Sequence, residues 1–161
     1  MKNRSSGFTL IEMIVVLTII MILAGLITGA ATKAKQRAMI AQTKTMISGL
    51  ETALGMFQTD LGGYPNSGNA SLVTNLTTLG GSYTVGTTSY TVVATSGWSG
   101  PYINFKTNDL VSGQVVDAWG SNYSYVRPGV TAGSTYVDIW SNGPDKANNS
   151  GGGDDISNWT R

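Results

Sequence analysis

The chain has 161 residues and a net charge of +1, and it contains neither histidine nor cysteine. The lack of both excludes Ser-His-Asp and Cys-His nucleophilic sites, disulfides, and zinc sites built from those residues. A nearly neutral chain is also a poor candidate for a broad nucleic-acid-binding surface, so we expect no nucleic-acid partner.

The N-terminal part of the chain is first basic and then strongly apolar. Residues 1–7 contain Lys2 and Arg4, and the following segment, 8–31, contains Glu12 as its only charged residue. The uncharged stretch after Glu12 approaches the ~20 residues that a helix needs to span a bilayer. A basic patch follows the apolar segment: Lys33, Lys35, Arg37 and Lys44.

Two ordinary interpretations of this segment are a cleaved signal peptide and an uncleaved membrane anchor. A signal peptide normally has an apolar stretch of only 7–15 residues. A carboxylate such as Glu12 would cost roughly 2.5–3.5 kcal/mol at the centre of a membrane helix, and somewhat less near the interface. An ordinary anchor leaves the orientation undefined, because positive charges flank both ends of the segment.

A third interpretation explains more of the residues. Residues 7–12 read GFTLIE, which resembles the processing site of type IV prepilins and pseudopilins. The resemblance implies that a prepilin peptidase cleaves after Gly7, that the apolar helix is retained, and that Phe8 becomes the N-terminus, which this family N-methylates. It also implies an acid at the fifth position of the mature chain, where Glu12 stands.

Glu12 also invites a prediction from its chemistry. An ionised carboxylate in hydrocarbon needs a partner or it becomes protonated. Cleavage after Gly7 would create a positive α-amine on Phe8 at nearly the same depth. We expect Glu12 of one subunit to pair with the Phe8 amine of a neighbour and so to set the register of assembly. The alternative is a solvated Glu12 at the headgroup interface.

Beyond the membrane segment, apolar residues recur at steps of three and four, which predicts an amphipathic continuation of the helix over residues 32–61. Gly62 and Pro65 are expected to end that helix. The apolar positions are Met39, Ile40, Met46, Ile47, Leu50, Ala53, Leu54, Phe57 and Leu61.

The remaining residues, 62–161, predict a globular, β-rich head. Leu72, Leu76 and Leu79 indicate a short helix, and Gly, Asn and Ser separate runs that are typical of strands. Those runs are 82–85, 89–94, 122–126 and 135–140. We therefore expect an α+β fold in which the long N-terminal helix packs on a small antiparallel sheet.

The C-terminal loop, residues 141–159, is rich in Asp, Asn and Gly. Its three carboxylates are Asp145, Asp154 and Asp155. Oxygen ligands on a flexible loop suit calcium, and the lack of His and Cys disfavours zinc or copper. A solvated turn without a metal is the alternative interpretation.

Several motifs of the head resemble those of the major pseudopilins of type II secretion. That family has Ser-Leu-Gly-x-Asp and Asp-Ile-x-Asn-Trp near its C-terminus, where this chain has SNGPD at 141–145 and DISNW at 155–159. Its Gly-Pro-Tyr-Leu and Asp-Pro-Trp-Gly-x-Pro-Tyr correspond to GPYI at 100–103 and DAWGSNY at 117–123. The resemblance implies a pilin-like fold.

The same resemblance implies a structural calcium ion in the C-terminal loop. Its ligands would be Asp145, Asp154 and Asp155, together with the backbone carbonyl of Asn142. Lys146 places a cation beside this site, which weakens the site unless the side chain points outward.

The functional expectation is a structural protein and not an enzyme, because the sequence has no base–nucleophile pair, phosphate loop or catalytic metal constellation. The resemblance implies a subunit of a helical pseudopilus filament in the periplasm. It also implies an inner-membrane origin, and minor pseudopilins and an inner-membrane assembly platform as partners. The alternatives are a major type IV pilin of an extracellular pilus, and an exported calcium- or carbohydrate-binding module whose mature chain starts near Thr32. Type IV pilin heads commonly carry a C-terminal disulfide, which this chain cannot form.

Overall fold

The structure is a computed structural model that describes residues 7–131 and 137–160; at 26–28 and 30 it describes the backbone alone. Except for Gly7, the expected leader therefore lies outside the described residues. The chain divides into two compact units, Met1–Ala38 and Met39–Arg161.

A long helix, α1 (Leu10–Leu61), accounts for most of the N-terminal third of the chain. It ends where the sequence predicts, because Gly62 adopts a left-handed φ of 73°. The amide of Gly62 donates to the carbonyl of Gln58 at 2.8 Å, which satisfies one of the free carbonyls at the helix end.

In the first unit, apolar side chains cover all sides of α1 and point outward. Every large apolar side chain that the structure describes from Phe8 to Leu23 is exposed, by 47–78%. No helix in the described part of the chain combines the length and apolar character that a membrane crossing requires. The side chains at 26–28 and 30, inside the expected membrane segment, lie outside the described residues.

In the second unit, the C-terminal half of α1 buries one face. Leu50 and Phe57 are 0% exposed, and the ring of Phe57 makes edge-to-face contacts with Tyr83 and Tyr102, each at 5.7 Å between ring centroids. The buried positions of this half are those at which helical spacing places the apolar face: Ile47, Leu50, Ala53, Leu54, Phe57 and Leu61. Helical periodicity alone therefore identifies the helix face that forms the core.

The segment after α1 forms a short helix and a three-stranded antiparallel sheet. The sheet has the order β1–β2–β3, with Tyr83 opposite Tyr90. The elements are β1 (Tyr64–Pro65), α2 (Asn69–Thr77), β2 (Ser82–Val85) and β3 (Thr88–Thr91). Leu79, expected in the short helix, lies beyond its end and is 45% exposed.

Five further strands follow in the described residues of the head. β4 and β5 form a hairpin, and β6, β7 and β8 form an antiparallel sheet in that order. The elements are a 3-10 turn (Thr107–Asp109), β4 (Leu110–Val111), β5 (Gln114–Val115), β6 (Ser124–Val126), β7 (Asp138–Ser141) and β8 (Ile156–Ser157). The described part of the head thus contains three small sheets, and none of their strands exceeds four residues. The first residues of the expected strand 135–140 lie outside the described part.

A buried amide joins α2 to the rest of the head. Asn69 is 7% exposed; its Nδ2 donates to the carbonyls of Val115 and Tyr123, at 2.7 and 2.8 Å. The amide of Val115 donates to Asn69 Oδ1 at 2.7 Å. All three bonds link residues far apart in sequence, which is why the sequence pattern did not reveal them.

Candidate functional site

The expected processing site lies at the start of the described chain. Gly7 and Phe8 precede the first residue of α1 and are both exposed. A Cβ atom added at Gly7 would meet no other atom within 4 Å. Nothing in the described part of the subunit therefore covers the peptide bond that follows Gly7.

Glu12 has a local role that the sequence analysis missed. The amide and the hydroxyl of Thr9 each donate to Glu12 Oε2 at 2.8 Å, and the amide of Glu12 donates to Thr9 Oγ1 at 3.3 Å. This reciprocal arrangement is a capping box, and it satisfies free amides at the start of α1. The Thr-x-x-Glu spacing before an apolar run was the available signal.

Glu12 and Phe8 lie on an otherwise apolar surface. The two residues line one shallow depression together with Ile11, Val15 and Val16. A positive amine on Phe8 would therefore sit close to the carboxylate, on the same surface. The structure brings the two expected assembly residues to one surface of a single subunit.

The C-terminal loop brings Asp145 and Asp154 together. The amide of Asp145 donates to Asp154 Oδ2 at 3.1 Å, and Asp145 Oδ1 accepts from the amide of Ala147 at 2.7 Å. Gly143, with φ 66°, allows this approach, because a Cβ atom there would collide with the carbonyl of Asp154. Only glycine fits at this position without displacing the backbone.

Asp155 lies deeper, at 8% exposure. Its Oδ2 accepts from the amides of Asn149 and Gly151 at 2.9 and 2.8 Å. Its Oδ1 is buried without a hydrogen-bond partner in the described structure, as is Oδ1 of Asn142. An unpaired buried carboxylate oxygen is costly, and a cation is one way to satisfy it.

These oxygens fit the chemistry of calcium, which binds oxygen ligands in flexible geometry. Asp145 and Asp154 share one region of the loop, whereas Asp155 Oδ2 faces the turn at 149–151. Within 7–131 and 137–160, no group of three or more acidic residues stands close enough to hold a metal ion. Lys146, at φ 61°, is exposed.

The end of the C-terminal loop packs on the head through tryptophan. The rings of Trp140 and Trp159 meet edge to face at 6.0 Å, and Gly151 lies so close to Trp159 that a side chain there would clash. The indole of Trp140 donates to Asn148 Oδ1 at 3.0 Å. Both indoles therefore contact the loop, and their fluorescence should report its state.

A polar cluster joins the end of α1 to the loop at 97–102. Asp60 Oδ2 accepts from the Tyr102 hydroxyl at 2.7 Å and from Ser99 Oγ. These bonds, that of Ser99 first, hold the pKa of Asp60 below its usual value. No local sequence pattern reveals this cluster, because Asp60 lies about forty positions from Ser99 and Tyr102.

Comparison with known proteins gives two family matches. The family described as "Type II secretion system (T2SS), protein G" matches residues 30–159. The family described as "Prokaryotic N-terminal methylation motif" matches residues 2–28. The second match indicates a membrane-anchored, envelope-associated protein and contains the GFTLIE segment.

Two sequence relatives agree with these matches. "Type II secretion system core protein G" of Klebsiella pneumoniae is 32% identical, over 98% of this chain and 96% of the relative. The protein of that name from Pseudomonas aeruginosa is 31% identical, over 98% and 97%. The crystal structure of the major pseudopilin from the type 2 secretion system of enterohaemorrhagic Escherichia coli is 25% identical, with a TM-score of 0.47 and coverage of 81% and 94%.

The matches confirm the family to which the sequence motifs pointed, and they favour it over a surface pilus or an exported binding module. They also confirm the expectation of a structural component and not an enzyme. Together the two family matches cover the N-terminal segment and the head. The described residues have an α+β architecture, and this chain belongs to the type II secretion system protein G family.

Proposed function

We propose that this chain is a structural subunit of the pseudopilus of a type II secretion system. The observation that carries the proposal is the exposed apolar surface of α1 from Phe8 to Leu23, where every large apolar side chain is at least 47% exposed. So large an apolar surface needs lipid or other protein around it. In a filament, the helices of neighbouring subunits would replace lipid around this segment.

Maturation begins with cleavage by the prepilin peptidase after Gly7. The exposed position of Gly7 and Phe8 supports this step, because a peptidase needs access to an extended peptide. Cleavage leaves Phe8 with a positive α-amine, which the family N-methylates, and the apolar part of α1 stays in the protein. The methylation-motif match over 2–28 supports the same step.

Glu12 then has two sets of partners available. In the single chain, the amide and hydroxyl of Thr9 donate to Glu12. In the filament, the amine of a neighbouring Phe8 would supply a charged partner. Burying either charge alone in an apolar core is costly, and pairing offsets much of that cost. The pair would therefore favour the one axial register between subunits in which the two charges meet.

Before assembly, the subunit would lie in the bacterial inner membrane as a single-pass protein, with its head in the periplasm. Lys33 and Lys35 then stand at the periplasmic end of the apolar segment, near the lipid headgroups. Assembly would involve the inner-membrane platform and minor pseudopilins. The product is a helical homo-oligomer in the periplasm.

Calcium is the metal we propose for the C-terminal loop. Asp145 and Asp154, which lie together, would bind it with the backbone carbonyl of Asn142, and Asp155 would have to move toward them to become the third carboxylate ligand. The unpartnered Oδ1 of Asp155 supports this assignment. When bound, calcium would link the two arms of the loop by electrostatic attraction, in a head that has no disulfide.

The test of the assembly proposal is Glu12→Ala in the full chain, expressed in bacteria with the rest of the secretion system. We expect the variant to be processed and retained in the membrane, but to form no filaments in electron micrographs. Thr18→Val is the matched control, because it changes another polar residue of the same helical segment, whose hydroxyl bonds to the carbonyl of Ile14. Normal filaments from processed, stable Glu12→Ala protein would overturn the proposal.

A further inference from the structure

A buried chain of hydrogen bonds connects the turn at 117–123 to the start of the C-terminal loop. Ser141 is 0% exposed and Asp117 is 6% exposed. Ser141 Oγ donates to Asp117 Oδ2 at 2.5 Å and accepts from the amide of Gly143 at 3.1 Å. Asp117 Oδ1 accepts from the amides of Trp119 and Ser121 at 2.9 and 2.8 Å.

The two carboxylate oxygens of Asp117 accept hydrogen bonds from different parts of the head. Oδ1 closes the turn by accepting from two backbone amides, while Oδ2 reaches across to the end of β7. Because Ser141 has only one hydroxyl hydrogen and Asp117 accepts it, the lone pairs of Ser141 Oγ are left for the amide of Gly143. The carboxylate thereby fixes the direction of the whole chain of bonds.

The bond to Gly143 also orients the carbonyl of Asn142, because both groups belong to one planar peptide unit. That peptide is trans, so the N–H and the C=O point in opposite directions. With the N–H turned toward the buried Ser141, the carbonyl of Asn142 must face the other side of the chain. The same anchor holds Gly143 against the carbonyl of Asp154.

We infer that Asp117 and Ser141 are positioning residues for the calcium site. They touch no ion themselves; they fix the Asn142 carbonyl and the approach of Gly143 to Asp154 before calcium arrives. This inference rests on the calcium site proposed above. The turn at 117–123 would thereby affect the calcium affinity of the C-terminal loop.

The experiment titrates calcium chloride into full-length protein in detergent micelles, with tryptophan fluorescence and calorimetry as readouts. Ser141→Ala removes both bonds of the hydroxyl. Asp117→Asn keeps an oxygen for the turn but places an amide donor where Oδ2 accepts the Ser141 hydrogen. Val92→Ala is the stability control, because Val92 is 0% exposed and belongs to the apolar core.

We expect each single variant to raise the calcium Kd by ~10-fold or more, the usual range for residues that orient metal ligands. The double variant should lose no more than the weaker-binding single variant, because both residues act through one chain of bonds. Val92→Ala should lower the melting temperature with an unchanged Kd. If Ser141→Ala and Asp117→Asn acted only by destabilising the head, Val92→Ala would raise the calcium Kd as well.

Three results would overturn the inference. An unchanged Kd in both single variants would reject the positioning role and leave the calcium site standing. An equal rise in Kd for Val92→Ala would show that affinity follows overall stability. A wild-type protein that binds no calcium would reject the calcium site and the inference together.

Discussion

The two halves of α1 differ in where their apolar side chains go. In the second unit, Leu50 and Phe57 are 0% exposed, because strands and loops of the same chain cover them. In the first unit, every large apolar side chain described from Phe8 to Leu23 is at least 47% exposed. Both groups of side chains belong to α1 (Leu10–Leu61), so the difference lies in what covers them.

One helix can therefore have one part suited to its own domain and another part suited to lipid or to other helices. Apolar residues on one face suit a helix that packs on its own domain, whereas apolar residues on all sides suit lipid or a helix bundle. The first half of α1 therefore carries an apolar surface that the single subunit leaves uncovered. In our account, the filament supplies what the single chain lacks.

The largest expected effect concerns the cleavage site that precedes the first half of α1. Gly7→Leu should abolish cleavage, so that the chain keeps its leader and no filaments form. Mass spectrometry of the membrane-bound protein measures this directly. Because a Cβ at Gly7 meets nothing within 4 Å, any loss arises at the peptidase and not from misfolding of the described chain. Gly55→Ala, at another open glycine, is the control; efficient cleavage of Gly7→Leu would contradict the assignment.

The second prediction compares equivalent truncations in the two halves. Phe57→Ala should destabilise the head by ~3–5 kcal/mol, because it leaves a cavity in the core. Leu17→Ala should change head stability by about 0.5 kcal/mol or less, since it removes an exposed side chain. Urea unfolding of both full-length variants in detergent, followed by tryptophan fluorescence, measures the difference. Similar losses of stability in Phe57→Ala and Leu17→Ala would contradict the distinction between the two halves of α1.

Sequence patterns predicted the parts of this fold that depend on local spacing. The buried positions from Ile47 to Leu61 follow from helical periodicity, and the end of α1 follows from Gly62. The C-terminal carboxylates were identified from composition and motif, and two of them, Asp145 and Asp154, do lie together. Calcium binding at that loop stays a prediction.

Contacts between distant residues could not be predicted in the same way. Asn69 bonds to Val115 and Tyr123, and Asp60 bonds to Tyr102, across stretches of more than forty residues. No local pattern encodes such pairs, because they depend on how the sheets are arranged. The capping box at Thr9 is the exception, since its four-residue signature was present in the sequence.

Calcium removal sharpens the comparison, because the proposed ion acts only on the second unit. At a calcium concentration about 100 times the Kd, binding would contribute ~2.7 kcal/mol. A chelator should then lower the melting temperature of the full-length protein by roughly 5–10 °C. Asp154→Asn should remove most of this response, and magnesium should not replace calcium. An identical melting curve with calcium and with chelator would remove the ion from the account.

The smallest effect concerns acid. The pKa of Asp60 lies below its ordinary value of 3.8, so ionisation of this carboxylate stabilises the folded head above that pH. The contribution is lost as the pH falls through the lower pKa of the folded state. Wild type should therefore be more stable than Asp60→Asn at neutral pH, with a difference that shrinks in acid well below pH 3.8. Urea midpoints at both pH values measure it, and a constant difference would contradict the role of Asp60.

Electron cryo-microscopy of filaments formed by the full-length protein tests the central claim most directly. Our account predicts a chain that starts at Phe8, with the helices of residues 8–31 packed against one another in the filament core and the heads outside. Density near Glu12 should connect it to the Phe8 amine of a neighbouring subunit. Filaments whose core lacks these helices, or whose subunits begin near Thr32, would contradict the account.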